Sequence, residues 1–330
     1  MKYQSEIEMD MPAAIDPITI GAVIVTYRPD IGLFTRIVAA VSEQAAGVMV
    51  FDNSDDAAHA SRIKSTLPDD VHYRWRHGNL GIGKAHNEGI AWAETAGFSH
   101  LLVLDQDSLP HPGMIERLTC AFREMAKTQR VAAVGSVYLQ PDYPRLEAFF
   151  IRYGFPFCRR AYAKELAPDE IVGADCLISS GTLFSISAIH EVGVMRESLF
   201  IDHVDTEWFL RANHLGYRSF GVAGANMDHA LGDRSINIWL GRWRSYPVHN
   251  PIRHYYIFRN SLLLYRMPHA VFSWIFFDLR RLLLISLFCA LVLDHKRHHL
   301  RMIRRGIADG LRGRAGKLPH DLEPATGPSD

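Results

Sequence analysis

A doubly wound α/β fold, with a mostly parallel sheet flanked by helices and a helical C-terminal extension, is what this sequence predicts. Three observations carry the prediction. Short apolar runs alternate with stretches of helical length over the first 140 residues, the pattern of βαβ crossover units. Polar or turn-forming residues stand where these runs end, on the edge at which open α/β sheets bind ligands. After Pro268 the chain changes character, to an uncharged run rich in leucine and then a basic stretch.

The elements follow in order. Met1–Pro17 is acidic and polar, lacks the apolar run of a secretory signal, and is expected to be a tail. Ile18–Tyr27 is the first strand, stopped by Pro29. A helix over Ile31–Gln44 precedes the strand Val48–Phe51, which ends in the turn-forming Asp52-Asn53-Ser54. Ala57–Leu67 reads as a helix, and Val71–Arg76 as a weaker strand running into the glycine-rich Gly78–Gly83. A helix over Ala85–Ala96, a buried strand over His100–Leu104, a helix over Met114–Lys127 and a strand over Val131–Tyr138 complete a nucleotide-binding half.

With 330 residues, 48% of them hydrophobic, the chain can build one large domain with an appendage, and global disorder is excluded. Its 36 basic residues balance 36 acidic ones, so no nucleic-acid partner is expected. The four cysteines lie far apart without Cys-x-x-Cys spacing, which argues against a zinc or disulfide framework and fits a reducing cytoplasm.

Chemistry concentrates at Asp105-Gln106-Asp107, where the buried strand emerges. On an extended backbone the two carboxylates point to one side and can share a hard divalent cation, Mg²⁺ or Mn²⁺, that would hold a diphosphate. Asp52 is placed to accept a hydrogen bond from a pyrimidine N3–H, with Thr26 and Tyr27 to pack on base and ribose. Gly78–Gly83 offers backbone amides to a phosphate, and Lys84 adds charge, although a plain strand-to-helix turn explains the glycines too. Ala85 follows Lys84 where a Walker loop needs Ser or Thr, and the stretch does not open the first strand–helix unit as a dinucleotide fingerprint would. Further on, Asp205 stands near the start of a helix whose Phe209, Leu210 and Ala212 turn inward, as a candidate reacting group; a simple helix cap is the alternative. Glu207 and Arg211 are spaced for a surface ion pair, and His229 lies 24 residues beyond Asp205.

Together, Val25-Thr26-Tyr27, Phe51-Asp52-Asn53, Asn79–Asn87, Asp105-Gln106-Asp107 and Phe200–Arg211 resemble family-2 glycosyltransferases of the GT-A fold. Ser180-Gly181-Thr182, Phe200-Ile-Asp-x-x-Asp205-x-Glu207-x-x-x-Arg211 and Tyr255-Tyr256-x-x-Arg259-Asn260 narrow the resemblance to the bacterial rhamnosyltransferase branch, over roughly residues 18–266. The resemblance implies that Thr26 and Asp52 hold the nucleobase, Asp105 the ribose or a metal-bound water, and Asp107 and His229 the metal. It implies Asp205 as general base, Arg259 at the diphosphate, and Ser180, Gly181 and Trp208 along the acceptor groove. Val204 precedes the base where the wider family has glutamate. The long loop Pro141–Glu170 reads as a lid or acceptor clamp.

The function so implied is an inverting, metal-dependent transfer of a sugar, foremost L-rhamnose from dTDP-L-rhamnose, to a polyprenyl-linked or cell-surface polysaccharide acceptor. A hexosyl or galactofuranosyl transferase using a UDP-sugar is the nearest competitor. A non-catalytic nucleotide-binding membrane partner is the other, but it would have no reason to keep Asp105, Asp107 and Asp205. A nucleotidyltransferase would want a glycine-rich loop after the first strand, and Thr26–Asp30 has no glycine.

The expected divisions are a tail (1–17), a catalytic domain (18–268, with halves 18–140 and 171–268), a membrane-associating helical segment (269–317) and a flexible tail (318–330). Leu282–Leu293 is uncharged but short of the about 20 residues a span needs. Beyond it Leu300, Ile303, Ile307 and Leu311 recur at helical spacing among arginines, a basic amphipathic helix suited to the cytoplasmic face of the membrane. Packing on the catalytic domain, or a homo-oligomer interface, would use the same pattern.

Overall fold

The computed structural model describes residues 17–140, 148–229, 234–239, 243–293 and 295–319. The tail 1–16, the start of the long loop (141–147) and the end of the C-terminal tail (320–330) lie outside the described residues.

In chain order come β1 (Ile20–Thr26), α1 (Ile31–Ser42), β2 (Gly47–Asp52), α2 (Ala57–Lys64), β3 (His72–Trp75) and α3 (Ile82–Thr95). Then follow β4 (His100–Asp105), β5 (Ser108–Pro110), α4 (Met114–Ala126), β6 (Val131–Leu139), β7 (Phe149–Arg152) and β8 (Arg159–Tyr162). The second half has β9 (Ile171–Ala174), β10 (Thr182–Ser185), α5 (Ile186–Val192), α6 (Val204–His214) and β11 (Arg218–His229). The hairpin β12 (Arg234–Trp239) and β13 (Trp243–Val248) leads to α7 (Pro251–Leu264), α8 (Phe272–Leu291) and α9 (Lys296–Leu311). The side chains of Asp30 and Asp56 cap α1 and α2, and Asn250 caps α7 with Pro251 at its first position.

The main sheet runs β3-β2-β1-β4-β10-β6-β11-β5, with β9 on β11. The first four strands are parallel, and β6 and β11 are parallel to each other. Between β4 and β6 lies β10, antiparallel to both, so the expected nucleotide-binding half is not a closed unit. Residues alternate between two cores: Val23, Met49 and Val103 face α3, α5 and α6, whereas Ile24, Val50 and Leu102 face α1 and α4. The long loop carries the hairpin β7–β8.

The C-terminal helices pack differently from the expected stripe. In α9 the buried face is His299, Met302, Ile303, Gly306, Asp309 and Gly310, and Ile307 and Leu311 are exposed. A Cβ on Gly306 would lie 2.4 Å from the Tyr255 carbonyl oxygen, and one on Gly310 2.9 Å from that of Arg259. Glycines that a hydrophobicity pattern does not count thus let α9 approach α7, and α9 is a packed helix of the catalytic body. In α8, Asp278 turns inward to Tyr265 and Arg281, while Leu279, Leu283, Leu284, Leu287 and Leu291 face outward. No helix among the described residues is long and apolar enough to cross a membrane.

Candidate active site

A cleft of about 440 Å³ opens at the carboxyl ends of β1 and β4. Asp105 ends β4, and Gln106 and Asp107 form the turn into β5, so the two carboxylates meet through a turn rather than along one extended strand. Antiparallel pairing of β11 with β5 sets His229 opposite Ser108, beside Asp107. Donor atoms of Asp105, Asp107 and His229 all lie within 4.8 Å of one another. Ser180 holds this group together: its hydroxyl accepts from the Asp105 amide (3.0 Å) and pairs with Ser108 Oγ (2.6 Å), which contacts His229 Nδ1 (2.8 Å).

The electrostatics suit a cation. Burial, with repulsion from Asp107 and Asp205 and opposition from His229, pushes the Asp105 carboxyl up to about 6. Burial alone would lower the His229 imidazole, but the hydrogen bond and charge of Asp107, aided by Asp105, hold it above its usual value. Two carboxylates and an imidazole are a donor set for a divalent ion, which would relieve this crowding.

Asp205 lies in the first turn of α6, facing the same cleft. It is not the cap: His203 occupies that position. The Asp205 Oδ1 accepts from the Thr206 amide (2.7 Å), yet burial, aided by Asp202, raises the carboxyl above its ordinary value. Behind Asp205 is a second cavity of about 200 Å³, walled by Tyr153, Trp274 and Phe277 and by the polar Asp202, His203, Asp278 and Arg281. Asp205 therefore stands between two spaces, one beside the acidic cluster and one lined by three aromatic rings among charged groups.

The segment before α6 is strained. Phe200, Asp202 and His203 all have positive φ (67°, 60° and 62°), and the Ile201 amide closes a γ-turn onto the Leu199 carbonyl (2.8 Å). Asn260 Nδ2 donates to the carbonyls of Leu199, Ile201 and Asp202 within 3.0 Å. Arg259 donates to the carbonyls of Leu199 and Gly316 and stacks on Tyr256. The motif Tyr255-Tyr256-x-x-Arg259-Asn260 thus clamps the loop that aims Asp205.

Several residues expected in the site sit elsewhere. Arg259 is 1% exposed and spent on backbone carbonyls; among the described residues the arginine on the cleft wall is Arg253, held by Asp202 (3.1 Å). Asp52 is fully buried, its oxygens accepting from the Ser54 amide and Tyr73 hydroxyl, and Asn53 reaches the cleft instead. Trp208 is a core residue, its indole donating to the Gly193 carbonyl, and so does not line a groove. Gly181, at φ 75°, sits where a Cβ would meet Ser136 Oγ at 2.0 Å, behind the acidic turn. Lys84 pairs with Glu88 and Glu197 away from the cleft. The glycine-rich stretch is not an open cradle: the amides of Leu80, Gly81 and Ile82 bond to Asn53, Asn79 and the Phe200 carbonyl. Thr26 and Tyr27 do line the cleft, and Gln106, the middle residue of the acidic triplet, accepts from the Thr26 hydroxyl (3.0 Å) and Tyr27 amide (2.6 Å). Glu207 and Arg211 form a pair in which Glu207 is fully buried and Arg211 partly so, not a surface one.

Comparison with known proteins agrees with this architecture. Residues 22–178 match the model of the family described as Glycosyl transferase family 2. Over 308 residues the chain is 29% identical to dTDP-rhamnosyl transferase RfbF of Shigella flexneri, spanning 90% of this chain and 97% of that protein. Among solved structures it resembles GalNAc-T7 with UDP, GalNAc and Mn²⁺ (TM-score 0.52, 12% identity, 86% of this chain), of which it spans only 58%. It also resembles S. aureus TarS 1-349 (TM-score 0.51, 12% identity, 89% of this chain and 81% of that one). At such identities these two structures speak for the fold.

Proposed function

Because the chain is a family-2 glycosyltransferase of the GT-A fold, we propose that it transfers L-rhamnose from dTDP-L-rhamnose, with inversion, to a lipid-linked or cell-surface glycan. The observation that carries this reading is Asp205, standing between the acidic cleft and the aromatic cavity. An inverting displacement needs a base beside the acceptor hydroxyl, across the sugar from the departing nucleotide. In this assignment the acceptor enters against Tyr153, Trp274 and Phe277, and Asp205 takes its proton. The rhamnose assignment is supported by the name of the Shigella relative. Incubating the protein with a panel of dTDP- and UDP-sugars and measuring nucleotide release with candidate acceptors tests it. Preferred use of a UDP-hexose or galactofuranose donor would replace rhamnose with the competing reading.

Asp105, Asp107 and His229 would hold Mg²⁺ or Mn²⁺, which supplies countercharge to the departing diphosphate. Arg253 adds a fixed positive charge on the cleft wall. Chelation should abolish transfer. Cation binding should also weaken with acidity, because Asp105, raised to about 6, and His229, held above its usual value, must both be deprotonated to bind. Calorimetric titration with Mn²⁺ should show binding weaker by more than about tenfold at pH 5 than at pH 7. An affinity independent of pH would remove both Asp105 and His229 from the site.

We also place the enzyme on the cytoplasmic face of an anionic bilayer. The support is the outward leucine face of α8 next to α9, whose Arg297, Arg301 and Arg304 are exposed. The inner face of α8 contributes Trp274 and Phe277 to the aromatic cavity, so a lipid-borne acceptor would meet the base at the membrane surface. Full-length protein should float with anionic vesicles at low salt, and a Leu283→Gln, Leu287→Gln, Leu291→Gln variant should stay at the bottom. Equal flotation of both would move the contact off α8.

A further inference from the structure

We propose that His254, Cys289 and His299 form a second metal site, built for a zinc-type ion, that fastens α7, α8 and α9 to one another. Each helix contributes one residue, and all three are buried. Their donor atoms lie within 4.8 Å of one another. His254 Nδ1 and His299 Nδ1 are 2.9 Å apart, and Cys289 Sγ is 3.9 Å from either ring nitrogen of His254.

The setting makes the convergence informative. Ile257, Phe258, Leu282, Leu293 and Ile303 surround the cluster, so these polar groups meet inside an apolar patch. One imidazole donating to the other accounts for a single contact and leaves the thiol as mere filling. A tetrahedral zinc ion explains all three. With Zn–N of about 2.0–2.1 Å and Zn–S of about 2.3 Å, ligand nitrogens sit about 3.3 Å apart, and nitrogen and sulfur about 3.6 Å apart. The His254–His299 and Cys289–His254 separations depart from these by about 0.4 Å or less, and Cys289 and His299 lie within 4.8 Å, a span that side-chain adjustment can close. Binding would release the Cys289 thiol proton to solvent and form one thiolate–metal and two imidazole–metal bonds, leaving a fourth position for water.

This donor set differs in kind from the acidic cluster at β4. Thiolate and imidazole select zinc-type ions, whereas carboxylates suit Mg²⁺ and Mn²⁺. The role assigned is structural, because the fastened helices supply Arg259 and Asn260 to the catalytic loop from α7, and Arg281 to His203 from α8.

Cobalt reports on such a site, since only a thiolate ligand gives a sulfur-to-cobalt charge-transfer band. Metal-stripped full-length protein titrated with Co²⁺ should develop that band and tetrahedral ligand-field absorption at one equivalent, and Zn²⁺ should bleach both. Cys289→Ser should abolish the charge-transfer band, and His299→Gln should weaken cobalt binding by about 100-fold or more. Asp107→Asn should leave the spectrum unchanged. Zinc should raise the thermal midpoint of the wild type but not of Cys289→Ser, whose folding is checked by circular dichroism. Absence of the band in the wild type, or its persistence in Cys289→Ser, overturns the site.

Discussion

Replacing Asp205 with asparagine should lower turnover by about 10²-fold or more while leaving donor affinity nearly unchanged. The amide keeps an oxygen to accept from the Thr206 N–H, so the start of α6 has no reason to move. It cannot take a proton from the acceptor hydroxyl. Stability offers a second readout. The native fold raises the Asp205 carboxyl above its ordinary value, mainly by burial, so the folded protein binds that proton more tightly than the unfolded chain. Its ionised form therefore costs stability once the pH exceeds the raised value, and Asp205→Asn should unfold at the same temperature as the wild type or higher at neutral pH. The wild-type acid limb of kcat/KM should correspondingly lie above the usual carboxylate range, with activity falling as the pH drops through it. Near-normal turnover in a folded Asp205→Asn protein would remove Asp205 as the base.

What could be read from the sequence was what short-range pattern determines. The strands β1, β2, β4 and β6 and the intervening helices follow from apolar runs and periodicity, within a few residues at their ends. Asp105, Asp107, His229 and Asp205 were legible because motif order carries them, and the structure gathers them around one cleft. The insertion of β10 between β4 and β6 was not legible, since a four-residue apolar strand does not reveal which neighbours it joins. Side-chain direction was the other gap. The motif ending in Arg259-Asn260 reads as a ligand site, but α7 points that arginine into the core and presents Arg253 to the cleft. Asp52 and Asn53 show the same one-residue ambiguity at the end of β2, where adjacent side chains go to opposite sides. In α9 the glycine face was overlooked because close backbone approach carries no hydrophobic signal.

Strain at Phe200 gives these parts a common purpose. A γ-turn with positive φ at a bulky residue persists only where its surroundings over-determine it. Here the Phe200 carbonyl accepts from the Ile82 amide (2.7 Å), and a Cβ on Gly81 would sit 2.5 Å from that oxygen. Gly81 is thus explained by the loop it receives rather than by a phosphate. From the other side Asn260 and Arg259 grip the neighbouring carbonyls, so the loop leading to Asp205 is held between the first and last parts of the catalytic domain.

Glu207→Ala should destabilise the fold by about 3–5 kcal/mol, the loss associated with leaving a buried ion-pair partner alone. Glu207 has no exposed surface, and both of its oxygens accept from Arg211, at 3.1 and 2.9 Å. Arg196 lies 3.3 Å and His269 3.2 Å from the same carboxylate. Arg211 is the permanently charged partner with the least access to water, because its side chain is only 19% accessible and also donates to the carbonyls of Val192 and Val194. Arg196, at 42%, can recover water. Denaturant unfolding at constant ionic strength measures the loss. Glu207 is two residues from Asp205 in the same motif and is a second carboxylate that motif offers for the role of base, so the isosteric Glu207→Gln separates the two roles. Commitment to Arg211 predicts a folded, less stable protein whose turnover stays within about tenfold of wild type, far from the deficit expected of a lost general base. A folded Glu207→Gln protein with intact donor binding and turnover reduced as far as in Asp205→Asn would instead make Glu207 part of the chemistry.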